Sequence, residues 1–373
     1  RRKLKNFTLS WFSVSMGTGA VAQLLYTMPY RGPGQQVAGL VFFFLNVVLF
    51  TLFTLATIIR YIMFPNIPQI ILHHPSESLY VGAIPMAFAT LINMAVYAGH
   101  QLGQGVITLA LVGWWIDAVI SLTTCFLVTY FMISRHEHTD MKDASSIWLL
   151  PIVSAPVASS TAAILIPYLD TSNAYIVLVS AYVLWGFGVM LASMILIIYL
   201  QRLIFHHLPP RQLIVSIWLP IGYLGQGIFS IVKLGSHCDS IFKAKAALDP
   251  SFPLADAGPV FFYASALFGL TFWGFSMWWL IIAIFAVLDH VRLGFPFSLG
   301  WWTFIFPTAS LVSGTFALGT AFKSSFFDVL GEIMAWAAIV LFAMVFFLTI
   351  RQAYRGTLFY APCLNTSVKS EKK

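Results

Sequence analysis

Residues 39–59 read GLVFFFLNVVLFTLFTLATII, and residues 333–350 read IMAWAAIVLFAMVFFLTI; neither stretch contains a charged side chain. An α-helix needs about 20 predominantly apolar residues to cross the hydrocarbon core of a bilayer. The strands of a transmembrane barrel would instead alternate apolar and polar residues over about ten positions. These continuous apolar runs therefore predict membrane-spanning helices, in which each segment satisfies its own backbone hydrogen bonds.

The composition of the whole chain supports the same conclusion. Of its 373 residues, 59% are hydrophobic and 9% are charged, whereas soluble domains carry about 25% charged residues. A water-exposed surface cannot be covered with so few charges. We therefore predict an all-α integral membrane protein with a single transmembrane transporter domain over residues 1–364, followed by a disordered cytosolic tail over residues 365–373.

Ten stretches are long and apolar enough to be transmembrane helices. They are residues 8–28, 36–63, 79–100, 107–133, 147–168, 174–204, 212–235, 258–290, 299–320 and 326–350. We expect short connecting loops, except for residues 236–257.

Lysine and arginine residues predict the orientation of these spans, because they concentrate in cytosolic loops. If the N-terminus is cytosolic, five of these residues fall on the outer side: Arg31, Lys233, Lys243, Lys245 and Lys323. All the others fall on the cytosolic side. Both termini are therefore predicted to be cytosolic, and the net charge of +7 reflects orientation rather than nucleic-acid binding.

Prolines distinguish the odd-numbered spans from the even-numbered ones. The odd spans carry Pro85, Pro151, Pro156, Pro220 and Pro307, or, in the first span, Gly17-Thr18-Gly19. Proline removes a backbone hydrogen bond and bends a helix, and a bilayer tolerates this where protein or water satisfies the freed carbonyl. We therefore predict five repeated hairpins, with the odd helices lining a central pore and the even helices outside against lipid.

The polar residues of the odd spans are uncharged, and they are the candidates for the lining of that pore. We select Thr18, Asn93, Ser159, Gln226, Thr303 and Ser310. Hydroxyl and amide groups stabilise an anion through partial charges, so the anion is held weakly enough to leave again. The alternative for any one of them is close helix packing, since small residues let membrane helices approach each other.

The ninth span places aromatic residues directly before a proline, because residues 300–307 read GWWTFIFP. A phenylalanine beside a mid-membrane proline can project into a narrow pore as a hydrophobic gate. Phe306 is the candidate gate, with Phe304 as the alternative. The competing interpretation is a core or lipid-facing side chain, since the chain contains 34 Phe residues.

Asp117 in the fourth span and Lys233 near the predicted outer end of the seventh are further candidates, because ionisable residues are rare inside membranes. Asp117 could carry a transported proton, or it could bond a neighbouring helix in a structural role. Lys233 could attract an anion at the outer mouth, or it could extend its amine to the membrane interface.

The loops carry helix caps rather than catalytic clusters. Ser76, followed by Glu77, and Ser145-Ser146 are predicted to cap the third and fifth spans. No helical HExxH motif, metal-ligand spacing or Walker motif is present in the sequence. We therefore expect neither an enzyme nor a metal or cofactor site.

Several segments, in this order, resemble the tellurite-resistance/dicarboxylate transporter family, which includes the slow anion channels, and within it most closely the fungal sulfite efflux pumps. The matching segments are WFSVSMGTG at 11–19, HPSESL at 74–79, PM at 85–86, TLINM at 90–94, WWIDA at 114–118, WLLPIV at 148–153, LPPR at 208–211, GQG at 225–227, and GWWTFIFP at 300–307. The resemblance extends over nearly the whole chain. Tyr223 departs from it, because the sulfite pumps carry a proline there.

The resemblance implies ten helices in five hairpins, with one pore in each protomer of a homotrimer. It also implies that Phe306 corresponds to the gating phenylalanine of the family. The expected activity is efflux of sulfite or bisulfite across the plasma membrane without a cofactor. The alternatives within the family are a C4-dicarboxylate (malate) permease and a small-anion channel.

Overall fold

The computed structural model describes residues 1–136, 140–292 and 294–364, and over these residues it contains helices and no strand. The predicted tail, residues 365–373, lies outside the described residues. Ten long helices follow one another along the chain: α1 (Phe12–Thr27), α2 (Gln35–Met63), α3 (Ala83–Gly99), α4 (Gln104–Ser134), α5 (Leu150–Leu165), α6 (Thr171–His206), α7 (Leu219–Leu248), α8 (Gly258–Val291), α9 (Ile305–Phe322) and α10 (Ser325–Arg355). Two short helices, Arg2–Lys5 and Ile67–His73, lie outside this set.

Nine helical segments in the described part of the chain are long and apolar enough to cross a membrane. This confirms the prediction of an α-helical integral membrane protein. The exception among the long helices is α1, which has 16 residues and includes Ser13, Ser15, Thr18 and Gln23. These polar residues lower the apolar character of α1, although it is almost entirely buried.

One predicted boundary is wrong. The sequence predicts a long loop over residues 236–257, but α7 continues to Leu248. Charged residues end the apolar run in this region, yet they support a helix, because the Lys243 amine lies 2.9 Å from the Asp239 carboxylate one turn away. Phe242 is buried against Phe252 and Phe261. Tertiary contacts therefore extend this helix beyond its most apolar part.

Burial separates the helices into two groups. The groups differ in the share of residues that are buried within the most apolar stretch of each segment. That share is 100% in Ser146–Tyr168 and 94% in Ile214–Leu248. It is 11% in Gln35–Met63 and 22% in Gly258–Val291. The exposed residues of α2 and α8 are largely Val, Leu, Ile and Phe, which suit lipid contact. The buried segments are the ones that contain proline in the first turns of α3, α5, α7 and α9.

The buried helices pack against one another in a closed order. Helix α1 contacts α3, α3 contacts α5, α5 contacts α7, α7 contacts α9, and α9 returns to α1. Each of them also packs against the long helix that follows it in the chain. We call these five helices, α1, α3, α5, α7 and α9, the ring.

Candidate functional site

Each helix of the ring is preceded by a short 3₁₀ segment. These segments are Leu9–Trp11, Ser78–Gly82, Ser146–Leu149, Ile214–Trp218 and Leu299–Phe304. Pro85, Pro151, Pro220 and Pro307 each lie in the first turn of the α-helix that follows. Proline fits there because the first-turn N–H groups have no partner within the helix. Most of the prolines therefore mark a change of helix type, and Pro156 alone among them lies deep inside an α-helix.

A cavity is lined by residues of these 3₁₀ segments, and we call it the vestibule. Its volume is about 270 Å³. Its polar lining includes Thr8, Ser10, Glu77, Gln212, Ser216, Ser298 and Thr303. Residues 357–362, which follow α10, contribute Thr357, Leu358, Tyr360 and Pro362 to the same wall.

A narrow apolar cavity, the collar, adjoins the vestibule. Its volume is about 20 Å³. Its lining is Met16, Met86, Leu149, Leu150, Val153, Leu219, Gly222, Thr303, Phe306 and Pro307. Leu150, Leu219 and Thr303 line both the vestibule and the collar, so the two spaces are neighbours.

A third cavity, the chamber, lies on the other side of Phe306. It also has a volume of about 20 Å³. Its lining is Ala20, Gln23, Thr90, Asn93, Val157, Gln226, Phe306, Ala309, Ser310 and Ser313. None of these residues is charged. Phe306 belongs to both the collar and the chamber, and its side chain is 5% exposed.

Hydrogen bonds orient the polar groups of the chamber. The Gln226 amide donates to Ser310 Oγ at 2.8 Å, and Ser310 Oγ donates to the Phe306 carbonyl at 2.8 Å. Across the chamber, the Asn93 amide donates to Gln23 Oε1 at 3.2 Å. The Asn93 side-chain oxygen has no hydrogen-bond partner among the described residues. The chamber therefore offers amide and hydroxyl dipoles from α1, α3, α7 and α9.

The selected lining residues do not all lie at these cavities. Asn93, Gln226 and Ser310 meet at the chamber, and Thr303 lies between the vestibule and the collar. Thr18 lines none of the three, and its hydroxyl donates to the Val14 carbonyl at 2.7 Å. Ser159 also lies outside them; its hydroxyl donates to the Ala181 carbonyl and lies 2.6 Å from Ser230 Oγ.

The two ionisable candidates lie outside the three cavities as well. Asp117 on α4 is buried, and neither carboxylate oxygen has a hydrogen-bond partner among the described residues. Lys233 is half-buried on α7, which continues to Leu248. Lys233 follows Gln226 by two helical turns, so it shares the chamber-facing side of α7 and lies about 10 Å closer to the C-terminal end of the helix.

Asn46, which is not among the predicted lining residues, positions the chamber wall. Asn46 on α2 is fully buried. It accepts a hydrogen bond from Ser15 Oγ at 2.6 Å and donates to Thr90 Oγ1 at 2.9 Å. Because Thr90 lines the chamber, this amide ties α1, α2 and α3 together behind it. The available signal was a single amide in residues 39–59, whose other polar residues are Thr51, Thr54 and Thr57.

The predicted caps are half correct. The Ser145 side chain accepts a hydrogen bond from the Ile147 N–H at 3.3 Å, as expected of a cap. Before the third span, the N-cap residue is Glu77, and its side chain makes no capping hydrogen bond. The Ser76 and Glu77 N–H groups donate instead to His74 Nδ1. The carboxylate of Glu77 faces the vestibule, and sequence reasoning gave no hint of that placement.

No group of three or more His, Cys, Asp or Glu side chains in the described part of the chain could hold a metal ion. The cavities therefore offer dipoles and one carboxylate as their polar groups. Such an arrangement can stabilise and pass a small ion, but it supplies no nucleophile paired with a base.

Comparison with known proteins identifies relatives of this chain. Residues 6–350 match the SLAC1 family, described as voltage-dependent anion channel. A protein named sulfite efflux pump from Arthroderma benhamiae is 37% identical over 358 residues, which cover 95% of this chain and 93% of that protein. A sulfite efflux pump from Trichophyton rubrum gives the same figures. A malic acid transport protein from Schizosaccharomyces pombe is 25% identical over 372 residues, covering 96% of this chain and 81% of that protein.

The chain therefore belongs to the SLAC1 family, and the resemblance stated from the sequence is confirmed. Membership places it among multi-pass membrane channels and transporters for anions, and not among enzymes.

Proposed function

From this membership, we propose that the chain exports sulfite or bisulfite across the plasma membrane, with both termini in the cytosol. The proposed architecture is ten spans in five repeated hairpins, with one conduit inside each protomer of a homotrimer. The names of the sulfite efflux pumps at 37% identity support the substrate. The order of vestibule, collar and chamber inside the ring of helices supports the conduit.

The position of Phe306 is the observation that carries this proposal. Its side chain separates the collar from the chamber, and each of those cavities has a volume of about 20 Å³. A cavity of that size holds about one water molecule. A sulfite ion is larger than water, so it cannot pass unless Phe306 moves. We therefore assign the described conformation to the closed state and Phe306 to the gate.

The chamber provides the selectivity of the proposed pathway. Its amide and hydroxyl groups stabilise an anion through partial charges, and no basic side chain is present to hold it tightly. Lys233, farther along the same side of α7, attracts the anion once it has passed the chamber. An inside-negative membrane potential then favours export by about 2.3 kcal/mol per charge per 100 mV.

Asp117 takes no part in ion passage in this proposal, and its oxygens do not make the bond to a neighbouring helix that was considered for it. Its carboxyl group is buried on α4 away from the three cavities. The neighbouring Trp114 indole donates to the Ala158 carbonyl of α5 at 2.8 Å, so this face of α4 is packed against the ring.

Purified protein in liposomes tests the function directly. We expect voltage-dependent flux of sulfite when an ionophore clamps the membrane potential. Malate, nitrate and chloride serve as competing substrates under the same conditions. Malate flux without sulfite flux would favour the C4-dicarboxylate permease, which fits the uncharged, narrow chamber less well. Large chloride or nitrate currents without sulfite flux would favour the small-anion channel.

A further inference from the structure

Glu77 is a buried acidic residue that the proposed mechanism does not use. It directly precedes the 3₁₀ segment Ser78–Gly82, is 6% exposed and lines the vestibule. Its side chain makes no capping hydrogen bond. Among the described residues that line the vestibule, it is the only charged one. An anion that crosses the vestibule must therefore pass a single carboxyl group in an otherwise uncharged lining.

Arg60, whose charge acts on Glu77, does not form an ion pair with it. Ion pairs found elsewhere in the described residues include Lys142 with Asp140 and Lys243 with Asp239. Arg60, near the end of α2, is 1% exposed, and its Nε donates to the Lys5 carbonyl at 3.1 Å. Its two terminal nitrogens have no hydrogen-bond partner among the described residues. Arg60 thus acts on Glu77 through its charge rather than through a hydrogen bond.

Other titratable groups near Glu77 come from several elements, and Tyr360 lines the vestibule with it. The others are Tyr61 on α2, His74 and Tyr80 on either side of Glu77, His136 after α4, and Cys363 after α10. Burial and the neighbouring His136 lower the pKa of His74. Burial raises the pKa of the Cys363 thiol. Both shifts favour the neutral form of those two groups near neutral pH.

Glu77 itself changes charge near neutral pH. Burial raises the pKa of its carboxyl group from the ordinary 4.5 to about 7, and the positive charge of Arg60 opposes this rise only in part. Its protonated fraction therefore falls steeply as pH rises through that value. The carboxyl group is mostly neutral in acidic conditions and mostly ionised in alkaline conditions.

We propose that Glu77 controls the admission of anions to the vestibule: the ionised carboxylate repels an incoming anion, and the protonated carboxyl group admits it. This inference rests on the proposed function, because the anion must enter through the vestibule. It makes transport increase when the vestibule side becomes acidic. That response suits the export of an anion derived from a weak acid, since such an acid releases protons in the compartment where it accumulates.

The test compares wild type with Glu77→Gln in liposomes that have the same pH on both sides. Sulfite gains or loses a proton itself in this range, but that change affects both proteins equally, so the ratio of their fluxes isolates Glu77. We expect the variant to exceed wild type by about tenfold at about pH 8 and to match it at about pH 6. Asp289→Asn is the matched control, because Asp289 is an exposed carboxylate on α8 outside the three cavities. We expect it to follow wild type throughout.

If the ratio of sulfite flux in Glu77→Gln to that in wild type stays constant between these two pH values, the proposal is wrong. Glu77→Asp keeps a titratable group, so it should retain a pH-dependent flux, and a flat profile in a folded Glu77→Asp variant would equally overturn it. Nitrate, which does not titrate in this range, serves as a second probe. If nitrate is transported and sulfite is not, the assignment of sulfite as substrate is wrong. The ratio of nitrate flux in Glu77→Gln to that in wild type still tests the role of Glu77.

Discussion

The vestibule and the chamber lie on opposite sides of Phe306 and differ in size and in charge. The vestibule has a volume of about 270 Å³ and contains the Glu77 carboxyl group, whereas the chamber has a volume of about 20 Å³ and a neutral polar lining. A wide, hydrated space can discriminate ions by charge over several ångströms. A narrow space must replace the hydration shell of the ion with its own dipoles. We infer that admission is controlled on one side of Phe306 and selectivity on the other.

Removing the barrier between the two regions should have the largest effect. Phe306→Ala joins the collar to the chamber, and we expect sulfite flux to rise at least about tenfold, which corresponds to a barrier lower by about 1.4 kcal/mol. Flux into liposomes measures this change. Phe304→Ala is the matched control, because Phe304 packs against Trp218 and Trp301 and lines none of the three cavities. If Phe306→Ala and Phe304→Ala raise sulfite flux equally, or if neither raises it, then Phe306 is not the gate.

Removing a dipole from the chamber should lower transport. Gln226→Leu deletes the amide that bonds Ser310, and we expect sulfite flux to fall about tenfold, equivalent to about 1.4 kcal/mol of anion stabilisation. Ser159→Ala removes a hydroxyl from the same ring but outside the chamber. Flux per folded molecule should then stay close to wild type. A larger loss in Ser159→Ala than in Gln226→Leu would contradict the assigned lining.

The wall behind the chamber should contribute to stability. Asn46→Leu breaks the bonds to Ser15 and Thr90, and interhelical hydrogen bonds of this kind are worth about 1 kcal/mol each. We expect a lower thermal unfolding temperature in detergent, together with reduced flux. Thr51→Leu, at an exposed position on the same helix, should leave the unfolding temperature unchanged. If Asn46→Leu leaves the unfolding temperature and the flux unchanged, the Asn46 amide does not stabilise the packing of α1, α2 and α3.

The smallest effect is expected from a substitution of Asp117. This substitution distinguishes the role of Asp117 from that of Glu77. Asp117→Asn should change sulfite flux by less than about twofold and keep the pH profile of wild type. The measurement is the same pH series as for Glu77→Gln. Loss of the pH dependence in Asp117→Asn, with Glu77→Gln unaffected, would transfer the proton-linked role to α4.

Much of the fold follows from local patterns that need no knowledge of neighbours. Apolar length predicts the helices, and the boundaries hold to within a few residues for segments such as Gly258–Val291 and Gln35–Met63. The prediction of a loop after residue 235 is wrong because Phe242 gains aromatic partners that a local apolar window does not include. Prolines inside the odd-numbered spans predict bent helices, but most of these prolines lie at 3₁₀-to-α junctions, which only the backbone structure reveals.

The candidate site was only partly predictable. Asn93, Gln226, Ser310 and Phe306 meet at the chamber, whereas Thr18 and Ser159 have the same polar character and bond helix backbones outside it. Residue type alone cannot separate these cases, because a hydroxyl serves equally well in a pore wall and in a helix contact. The rotation of each helix about its axis makes the distinction.

The sequence by itself determined that the chain lies in a membrane, that its spans are helices and that the polar residues of the odd-numbered spans are uncharged, because these properties depend on composition and on spacing along one segment. Tertiary structure alone decided which polar groups share a cavity, that Phe306 stands between two of those cavities, and that Glu77 faces the vestibule. The physical reason is that cavities and electrostatic environments arise between helices that are distant in the chain. The charge state of Glu77 likewise depends on its burial and on the charge of Arg60, which lies on the distant helix α2.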